Sequence, residues 1–247
     1  MNANKVEAWK GFKDFKVYKK VKESEEIFSL YIKPVDGTRV VEHKSGQFIG
    51  IKVKTDDENM KKVIRMYSLS SVPSKEFYRV TIKLVEDGRM TNYLNENINV
   101  GDIIEVMAPR GAFFLDKEKV DNPVVLLGGG IGVTPVFSML QDIDENVETH
   151  FIYSLRNKEA ECFLEDIKEF DKFDNTKVTT FFTRPLENEV EGEDFDIKGR
   201  VTKEWLASNI PLNAEFYFCG NKGFTQMLET TLQELGVEKD RIHFEFF

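Results

Sequence analysis

Apolar and polar residues alternate along six short stretches in the first half of the chain. These stretches are rich in β-branched and aromatic residues, and turn sequences such as DGT, KSG and VPSK separate them. They lie at residues 15–21, 26–32, 46–54, 63–71, 77–85 and 102–109. Six strands at this spacing predict an antiparallel β-barrel or sandwich. One helix is predicted at residues 88–97, where Thr91 would cap the first turn.

The period changes after about residue 117, where apolar strands alternate with helical stretches. Strands are predicted at residues 123–130, 149–155, 178–183 and 215–220, helices at 134–143, 160–173 and 221–236, and a turn followed by a helix at 199–209. This alternation predicts a parallel sheet with helices on both faces. The last helix would end at Gly236, a residue type favoured just beyond helix C-termini. Domains at residues 1–116 and 117–247 follow, with a hinge at residues 117–122.

The final seven residues, RIHFEFF, leave three readings open. They fit a last strand, in which Ile242, Phe244 and Phe246 would be core residues, or a contact with a partner. They also fit a cover over a flat ligand.

Composition excludes several classes of protein. No run of about 18 apolar residues exists, and the N-terminus lacks a signal-peptide core, so no membrane span and a cytoplasmic location are expected. A net charge of −9 argues against nucleic acid as a partner. The two cysteines are too few for a cluster and the three histidines lack metal-ligand spacing. Redox chemistry would therefore require an organic cofactor, and no hydrolase triad is visible.

The motif GGGIGVTP, residues 128–135, follows a predicted strand and opens a helix. Its glycines would let backbone N–H groups approach a pyrophosphate, with Thr134 and Pro135 at the N-cap and first helical positions. A tight structural turn is the alternative. No lysine follows, which disfavours a P-loop ATPase. The candidate nucleotide-binding residues are Gly130, Ile131, Gly132, Val133, Thr134 and Pro135.

Two further strand ends would complete a nucleotide site. Ser154 and Arg156 follow the second strand, where NAD-binding proteins usually place an acid. They suit the 2′-phosphate of NADP without excluding NADH, and a surface arginine is the alternative. Cys219 and Gly220 end a later strand at the same edge of the sheet, where Cys219 is either a core residue or a nicotinamide contact.

The barrel half carries two candidate places for a phosphorylated, flat ligand. The stretch RMYS, Arg65 to Ser68, supplies a cation, an aromatic ring and a hydroxyl, with Arg65 and Tyr67 on one face of a strand. An ordinary strand with an exposed arginine is the alternative. A glycine turn before a helix supplies the second place, at Gly88, Arg89, Met90 and Thr91. Two nucleotide-like ligands are therefore predicted.

These motifs, in this order, resemble the ferredoxin–NADP reductase superfamily: R-x-Y-S, G-x-x-[ST]-N-x-L, G-G-G-x-G-x-T-P, C-G and a terminal aromatic residue. The resemblance covers nearly the whole chain. WKGFKDFKVYKK, GDIIEVMAPRGAFF and IHFEFF are similar to the FAD/NAD(P)H reductase half of flavohaemoglobins, without a globin domain. A stand-alone reductase is therefore expected, with FAD on the barrel and NADH or NADPH on the second domain.

The resemblance also implies roles for single residues. Arg65 would pair with the FAD pyrophosphate, Tyr67 would stack on the flavin, and Ser68 would hydrogen-bond near flavin N5. Glu245 would tune the flavin potential, and Phe247 would cover the flavin face opposite Tyr67 and swing aside for nicotinamide. The residues implied in catalysis are Ser68, Cys219, Glu245 and Phe247. Phe48, Met66 and Phe246 would join them in cofactor binding.

Three departures from the family pattern stand out. Phe48 replaces a tyrosine, and Asn221 replaces the proline of a C-G-P turn, which should leave that turn less rigid. The chain stops at Phe247 where family members continue.

The acceptor of the electrons is left open at this stage. A globin, an iron–sulfur protein, and a quinone or ferric chelate are the candidates, and the acidic net charge favours a basic protein acceptor. Two other classes remain as alternatives to an enzyme: a docked electron-transfer subunit of a larger redox complex, and a nucleotide-binding regulator without turnover.

Overall fold

The computed structural model describes residues 7–118, 120 and 123–247. The chain divides into two compact units, Met1–Phe114 and Leu115–Phe247, each with one six-stranded sheet. The domain boundary after residue 116 stays a prediction. Residues 119, 121 and 122 of the predicted hinge lie outside the described residues.

The sheet of the first unit is a nearly closed antiparallel barrel, as predicted. Its strands run in the order β4-β3-β6-β1-β2-β5, and an isolated bridge between Leu69 and Val80 joins the two ends. Alternate residues of these strands fill a common core. The strands are β1 (Phe12–Lys22), β2 (Ile27–Pro34), β3 (Phe48–Val53), β4 (Arg65–Ser68), β5 (Tyr78–Lys83) and β6 (Ile103–Met107).

The described part of the barrel unit contains one α-helix, α1 (Arg89–Asn97), which buries Met90 and Leu94 in the barrel core. The predicted N-cap role of Thr91 is wrong: Gly88 occupies that position, because burial of Met90 starts the helix before Thr91. The Thr91 hydroxyl instead donates to the Gly88 carbonyl at 3.1 Å. At the other end, the Lys20 ammonium donates to the free carbonyls of Leu94, Asn95 and Ile98.

The second sheet is parallel throughout. Its strands are β7 (Val124–Gly129), β8 (Thr149–Leu155), β9 (Thr176–Phe182), β10 (Ile197–Lys198), β11 (Glu215–Gly220) and β12 (Ile242–Phe246). They run in the order β10-β9-β8-β7-β11-β12, so the chain moves outward from β7 and then returns to its other side. The switch point between β7 and β11 is where open α/β sheets bind ligands.

Four α-helices cover this sheet: α2 (Val133–Asp142), α3 (Leu164–Phe170), α4 (Lys203–Asn209) and α5 (Lys222–Glu234). Alternate strand residues such as Val125, Leu127 and Phe216 pack with α4 and α5. Their neighbours along the strands, such as Val124 and Leu126, are equally buried, so both faces are covered. The predicted α/β architecture is confirmed.

Two local predictions in this unit differ in outcome. Gly236, with φ of +88°, follows α5, and the amide of Val237 donates to the Leu232 carbonyl as in a Schellman motif. This confirms the predicted helix end. The helix predicted at residues 160–173 is shorter, because Phe163 at φ of +64° interrupts it.

Candidate functional site

Arg65 and Tyr67 lie on β4 with different environments. The Arg65 side chain is exposed and donates to the Ile64 carbonyl at 2.9 Å, and no described carboxylate pairs with it. The Tyr67 ring packs against the barrel core. Its buried hydroxyl has no hydrogen-bond partner among the described residues, and burial raises its pKa. An unpaired guanidinium and an unpartnered hydroxyl suit a ligand with phosphates and polar groups.

The remaining residues of this strand meet β3. Ser68 is buried and lies opposite Phe48 in the antiparallel register. Met66 lies opposite Gly50 and is 49% exposed. The structure therefore brings together Phe48, Met66, Tyr67 and Ser68, as the resemblance implied, although their roles toward FAD stay predictions.

The turn at Gly88 forms the second candidate place on the barrel. A Cβ at Gly88 would lie 2.4 Å from the Thr91 hydroxyl, so the close turn requires glycine. The Arg89 guanidinium donates to the Asn59 carbonyl. Met90 is buried in the core, which leaves its backbone for any ligand contact. The amino end of α1 remains the phosphate-ready feature.

The two glycine turns of the second unit touch at the switch point. A Cβ at Gly132 would lie 2.2 Å from the Cys219 carbonyl oxygen, so the backbones of both turns meet with no room for a side chain. Gly130 adopts φ of +55° with nothing near its missing Cβ. The glycines predicted from the motif thus form a backbone-lined cradle at the carboxyl ends of β7 and β11.

The start of α2 differs from the sequence expectation. Gly132 occupies the N-cap position, so Thr134 and Pro135 are the second and third residues of the helix and not the N-cap and first residue. The tight glycine turn passes straight into the helix, which moves its start before Thr134. Thr134 is buried, and its hydroxyl donates to the Ile131 carbonyl at 3.0 Å. Its side chain holds the turn together.

Phe224 and Asn221 support the cradle and were not predicted from the sequence. A Cβ at Gly129 or Gly220 would lie 2.8 or 2.7 Å from the Phe224 ring, so this ring packs on both turns. The Asn221 side chain accepts from the Phe224 amide at 3.0 Å and caps α5. Asn221 has φ of −70°, which a proline would also adopt, so a cap holds the turn that was expected to lack rigidity. The spacing of Asn221 and Phe224 was the available signal.

Ser154 and Arg156 lie at the carboxyl end of β8, next to the glycine turn. Ser154 is opposite Gly129 in the β7–β8 register and is almost fully buried, whereas Arg156 is exposed. Their position beside the cradle is the one predicted, and their role in choosing between NADH and NADPH stays a prediction.

The last strand runs alongside β11. Glu245 lies opposite Cys219. Cys219 is fully buried, and burial, reinforced by the Glu245 charge, raises its pKa. Burial also raises the pKa of Glu245. The thiol is thus a core group, and a nicotinamide contact by Cys219 stays a prediction.

The last residues confirm only part of the prediction that they form a strand with three core residues. Ile242 and Phe244 pack against the core, and Phe244 stacks on Phe218 with ring centres 5.3 Å apart. Phe246 is 54% exposed, so its predicted core role is wrong, because it lies at the last paired position of an edge strand, opposite Gly220. Phe247 is 58% exposed, and its amide donates to the Gly220 carbonyl at 3.2 Å. Two exposed rings therefore flank the cradle turn.

Comparison with known proteins identifies the two units. Residues 14–115 match the oxidoreductase FAD-binding domain family, and residues 126–230 match the oxidoreductase NAD-binding domain family. The chain belongs to these two oxidoreductase families. The predicted cofactors, FAD and a pyridine nucleotide, and the predicted oxidoreductase class are thereby confirmed. Among the described residues, no helix is long and apolar enough to cross a lipid bilayer.

Relatives of this oxidoreductase include flavohemoproteins. It is 38% identical to the flavohemoprotein of Bacillus cereus over 99% of the chain, but spans only 63% of that protein. The flavohem-like FAD/NAD-binding domain of nitric oxide dioxygenase from Vibrio cholerae superposes with a TM-score of 0.83 at 29% identity, covering 95% of this chain and 98% of that domain. Flavohemoglobin from Malassezia yamatoensis, with bound FAD and haem, gives 0.78 at 27% identity over 96% of this chain and 60% of that one.

Proposed function

We propose that this oxidoreductase takes hydride from NADH or NADPH on its FAD and passes the electrons to the haem of a globin. The observation that carries the acceptor is the similarity to flavohemoproteins across 99% of the chain. The chemistry supplied by bound FAD is uptake of a hydride and release of electrons singly or in pairs. The residues of this chain would position the two cofactors and set the electrostatics around them.

The barrel would hold FAD through Arg65, which pairs with no described carboxylate, and Tyr67, whose hydroxyl has no described hydrogen-bond partner. The exposed Arg65 guanidinium would pair with the pyrophosphate, and the amino end of α1 at Gly88–Thr91 would hold a second phosphate oxygen. The Tyr67 ring would stack on the flavin, and its unpartnered hydroxyl would gain a hydrogen bond from the cofactor. Ser68 and Phe48 would line the same strand pair.

The second unit would hold the nicotinamide nucleotide on its glycine cradle. Backbone amides of Gly130–Gly132 and the amino end of α2 would face the pyrophosphate. Gly220, whose backbone closes the cradle, would lie beside the nicotinamide. Glu245 and Phe247, which neighbour that turn, would set the local charge and cover the ring.

An anaerobic half-reaction tests the donor side of this function. The purified protein should be yellow, and NADH or NADPH should bleach the visible flavin absorbance. Arg65→Ala should lower flavin occupancy about tenfold, since a charge-assisted bond to phosphate is lost. Arg39→Ala, an exposed arginine of the same unit, should leave it unchanged. A colourless protein, or a flavin that neither nucleotide bleaches, would contradict the proposal.

The acceptor side needs a separate measurement. The flavin-loaded protein is first reduced by NADH and then mixed with a ferric globin in a stopped-flow spectrometer. The haem spectrum should shift to the ferrous form while the flavin absorbance returns. If a ferric chelate reoxidises the flavin but the globin does not, the globin assignment is wrong and only the donor half stands.

A further inference from the structure

Half of the described lysines of the barrel unit pair with carboxylates. Seven make ion pairs at 2.6–3.2 Å: Lys13 with Asp36, Lys22 with Glu25, Lys52 with Glu105, Lys54 with Asp14, Lys61 with Glu58, Lys75 with Glu42 and Lys83 with Glu26. Lys16, Lys19 and Lys33 are exposed and make no ion pair with any described carboxylate. All three lie on the neighbouring strands β1 and β2, whereas the other exposed lysines of this unit without a described ion pair, Lys10, Lys44 and Lys62, lie outside the strands.

The strand register puts these three lysines on one outer surface. Lys16 lies directly opposite Lys33, although like charges at opposed positions destabilise a sheet. A bulge between Val17 and Lys19 then leaves Tyr18 unopposed, so Tyr18 and Lys19 are both exposed. Lys19 lies opposite Tyr31. We call this surface, formed by Lys16, Tyr18, Lys19, Tyr31 and Lys33, the basic face.

Aromatic rings hold the lysines of the basic face in position. The Lys19 ammonium lies 4.9 Å from the ring centre of Tyr31, and the Lys33 ammonium lies 4.8 Å from that of Tyr18. Arg79 of β5 approaches the Tyr31 ring from the neighbouring strand, at 5.8 Å. The Tyr18 and Tyr31 rings touch each other, with centres 6.0 Å apart. The charges are therefore ordered before any partner arrives.

We propose that the basic face docks an acidic region on the surface of the haem-protein acceptor, an inference that rests on the proposed electron transfer. The Lys19 and Lys33 ammonium groups lie over different rings, those of Tyr31 and Tyr18. Separate carboxylates on a protein surface match this arrangement better than one small anion does.

The net charge of the chain would orient an acidic acceptor as it approaches. At a net charge of −9 the molecule repels an acidic partner as a whole, and the basic face attracts it locally. An acidic acceptor would therefore approach this surface in preference to others. The overall charge alone had predicted a basic acceptor, and the local arrangement points the other way.

Binding of two haem proteins of opposite charge tests the proposal. Titration calorimetry of the oxidised protein with acidic cytochrome b5 and basic cytochrome c does not depend on the hydride step. Lys19→Glu/Lys33→Glu should weaken cytochrome b5 binding about tenfold at low salt and flatten its salt dependence. The control Lys10→Glu/Lys177→Glu makes the same change in net charge at exposed, unpaired lysines off the basic face and should lose less than about twofold.

Kinetics on the same variants separate this inference from the proposed function. Flavin bleaching by NADH should be equal in wild type and both variants, while cytochrome b5 reduction should slow about tenfold only in Lys19→Glu/Lys33→Glu. No bleaching in any protein would refute the proposed function. Equal losses in the two variants, or binding of cytochrome c but not cytochrome b5, would overturn the basic face. The basic face would also be overturned as a docking surface if Lys19→Glu/Lys33→Glu lost the binding of inorganic pyrophosphate but bound cytochrome b5 as wild type does.

Discussion

The hydroxyl of Tyr67 is buried without a hydrogen-bond partner among the described residues. Leaving a buried donor unpaired costs about 1–3 kcal/mol, so the free protein carries this cost. A bound flavin that accepts the hydrogen bond would remove the cost, which turns a local defect into binding energy. Ser68 and Arg65, on the same strand, have no comparable defect.

Tyr67→Phe tests this at the residue scale. The variant should bind FAD about threefold to tenfold more weakly, since one hydrogen bond is lost, while the thermal midpoint of the FAD-free protein stays equal or rises. Both quantities come from one fluorescence titration and one unfolding curve. Tyr78→Phe is the matched control: its hydroxyl donates to the Val41 carbonyl at 2.6 Å, so its loss should lower the stability and spare the FAD affinity. A destabilised FAD-free Tyr67→Phe protein would contradict the account.

The site residues that could be predicted from the sequence are those that belong to short motifs. Gly130 and Gly132 belong to one short motif, and Arg65 and Tyr67 to another. Phe224 was missed because it packs on Gly129, and the two residues are separated in the sequence by most of the second unit. The offset of the α2 start was missed because a glycine turn runs into the helix without a polar cap.

At the scale of elements, β12 combines a packed half and an exposed half. Phe244 stacks on Phe218 and contacts the core shared by α4 and α5. Phe246 and Phe247, at the carboxyl end, lie more than half exposed beside the Gly220 turn. One five-residue strand thus serves stability at its start and the cradle at its end.

Alanine substitutions separate these two roles. Phe244→Ala should lower the free energy of unfolding by about 2 kcal/mol, because a stacked, partly buried ring is removed. Phe247→Ala should change it by less than about 0.5 kcal/mol but alter the rate of flavin bleaching or the preference between NADH and NADPH. Urea unfolding and anaerobic stopped-flow measure the two effects. If Phe247→Ala bleaches like wild type with both nucleotides, Phe247 has no role as a cover.

Longer strands could be predicted from the sequence, and the shortest strand could not. The six barrel strands and β7, β8, β9 and β11 all carried enough alternating or apolar residues to be located. Two-residue β10 carries no such signal, and β12 was ambiguous because its side chains are only half-buried. The late start of α3 within the predicted 160–173 helix depends on the backbone of Phe163, which its apolar side chain does not reveal.

On the scale of the whole molecule, each unit has its own core and its own tryptophan. Trp9 packs against the barrel core, and its indole donates to the Val106 carbonyl at 2.9 Å. Trp205 packs edge-on against Phe181 in the second unit, with ring centres 4.9 Å apart. These are the two tryptophans of the chain. Each reports on the unfolding of its own unit.

Single-tryptophan variants can therefore assign each cofactor to a unit. In Trp205→Phe, FAD at about 100 times its Kd should stabilise the unit reported by Trp9 by about 2.7 kcal/mol. In Trp9→Phe, the same FAD should shift the Trp205 transition less, and NADH should shift it more. The emission wavelength during urea unfolding is the readout, since flavin absorbs emitted light. An FAD shift confined to Trp205 would contradict the cofactor assignment.

The direct pairing of β7 with β11 has a consequence for how the chain folds. Val124 pairs with Glu215, so β7 and β11 are neighbours in the sheet but far apart in the sequence, and bringing them together closes a long loop. Until then β7, an apolar run of VVLLGG, can pair with β8 but leaves its other edge bare. Such an edge invites pairing with other chains, and long-range closure is slow. The cradle thus depends on a long-range strand pairing, and the longer this pairing takes, the longer newly made chains stay prone to aggregation.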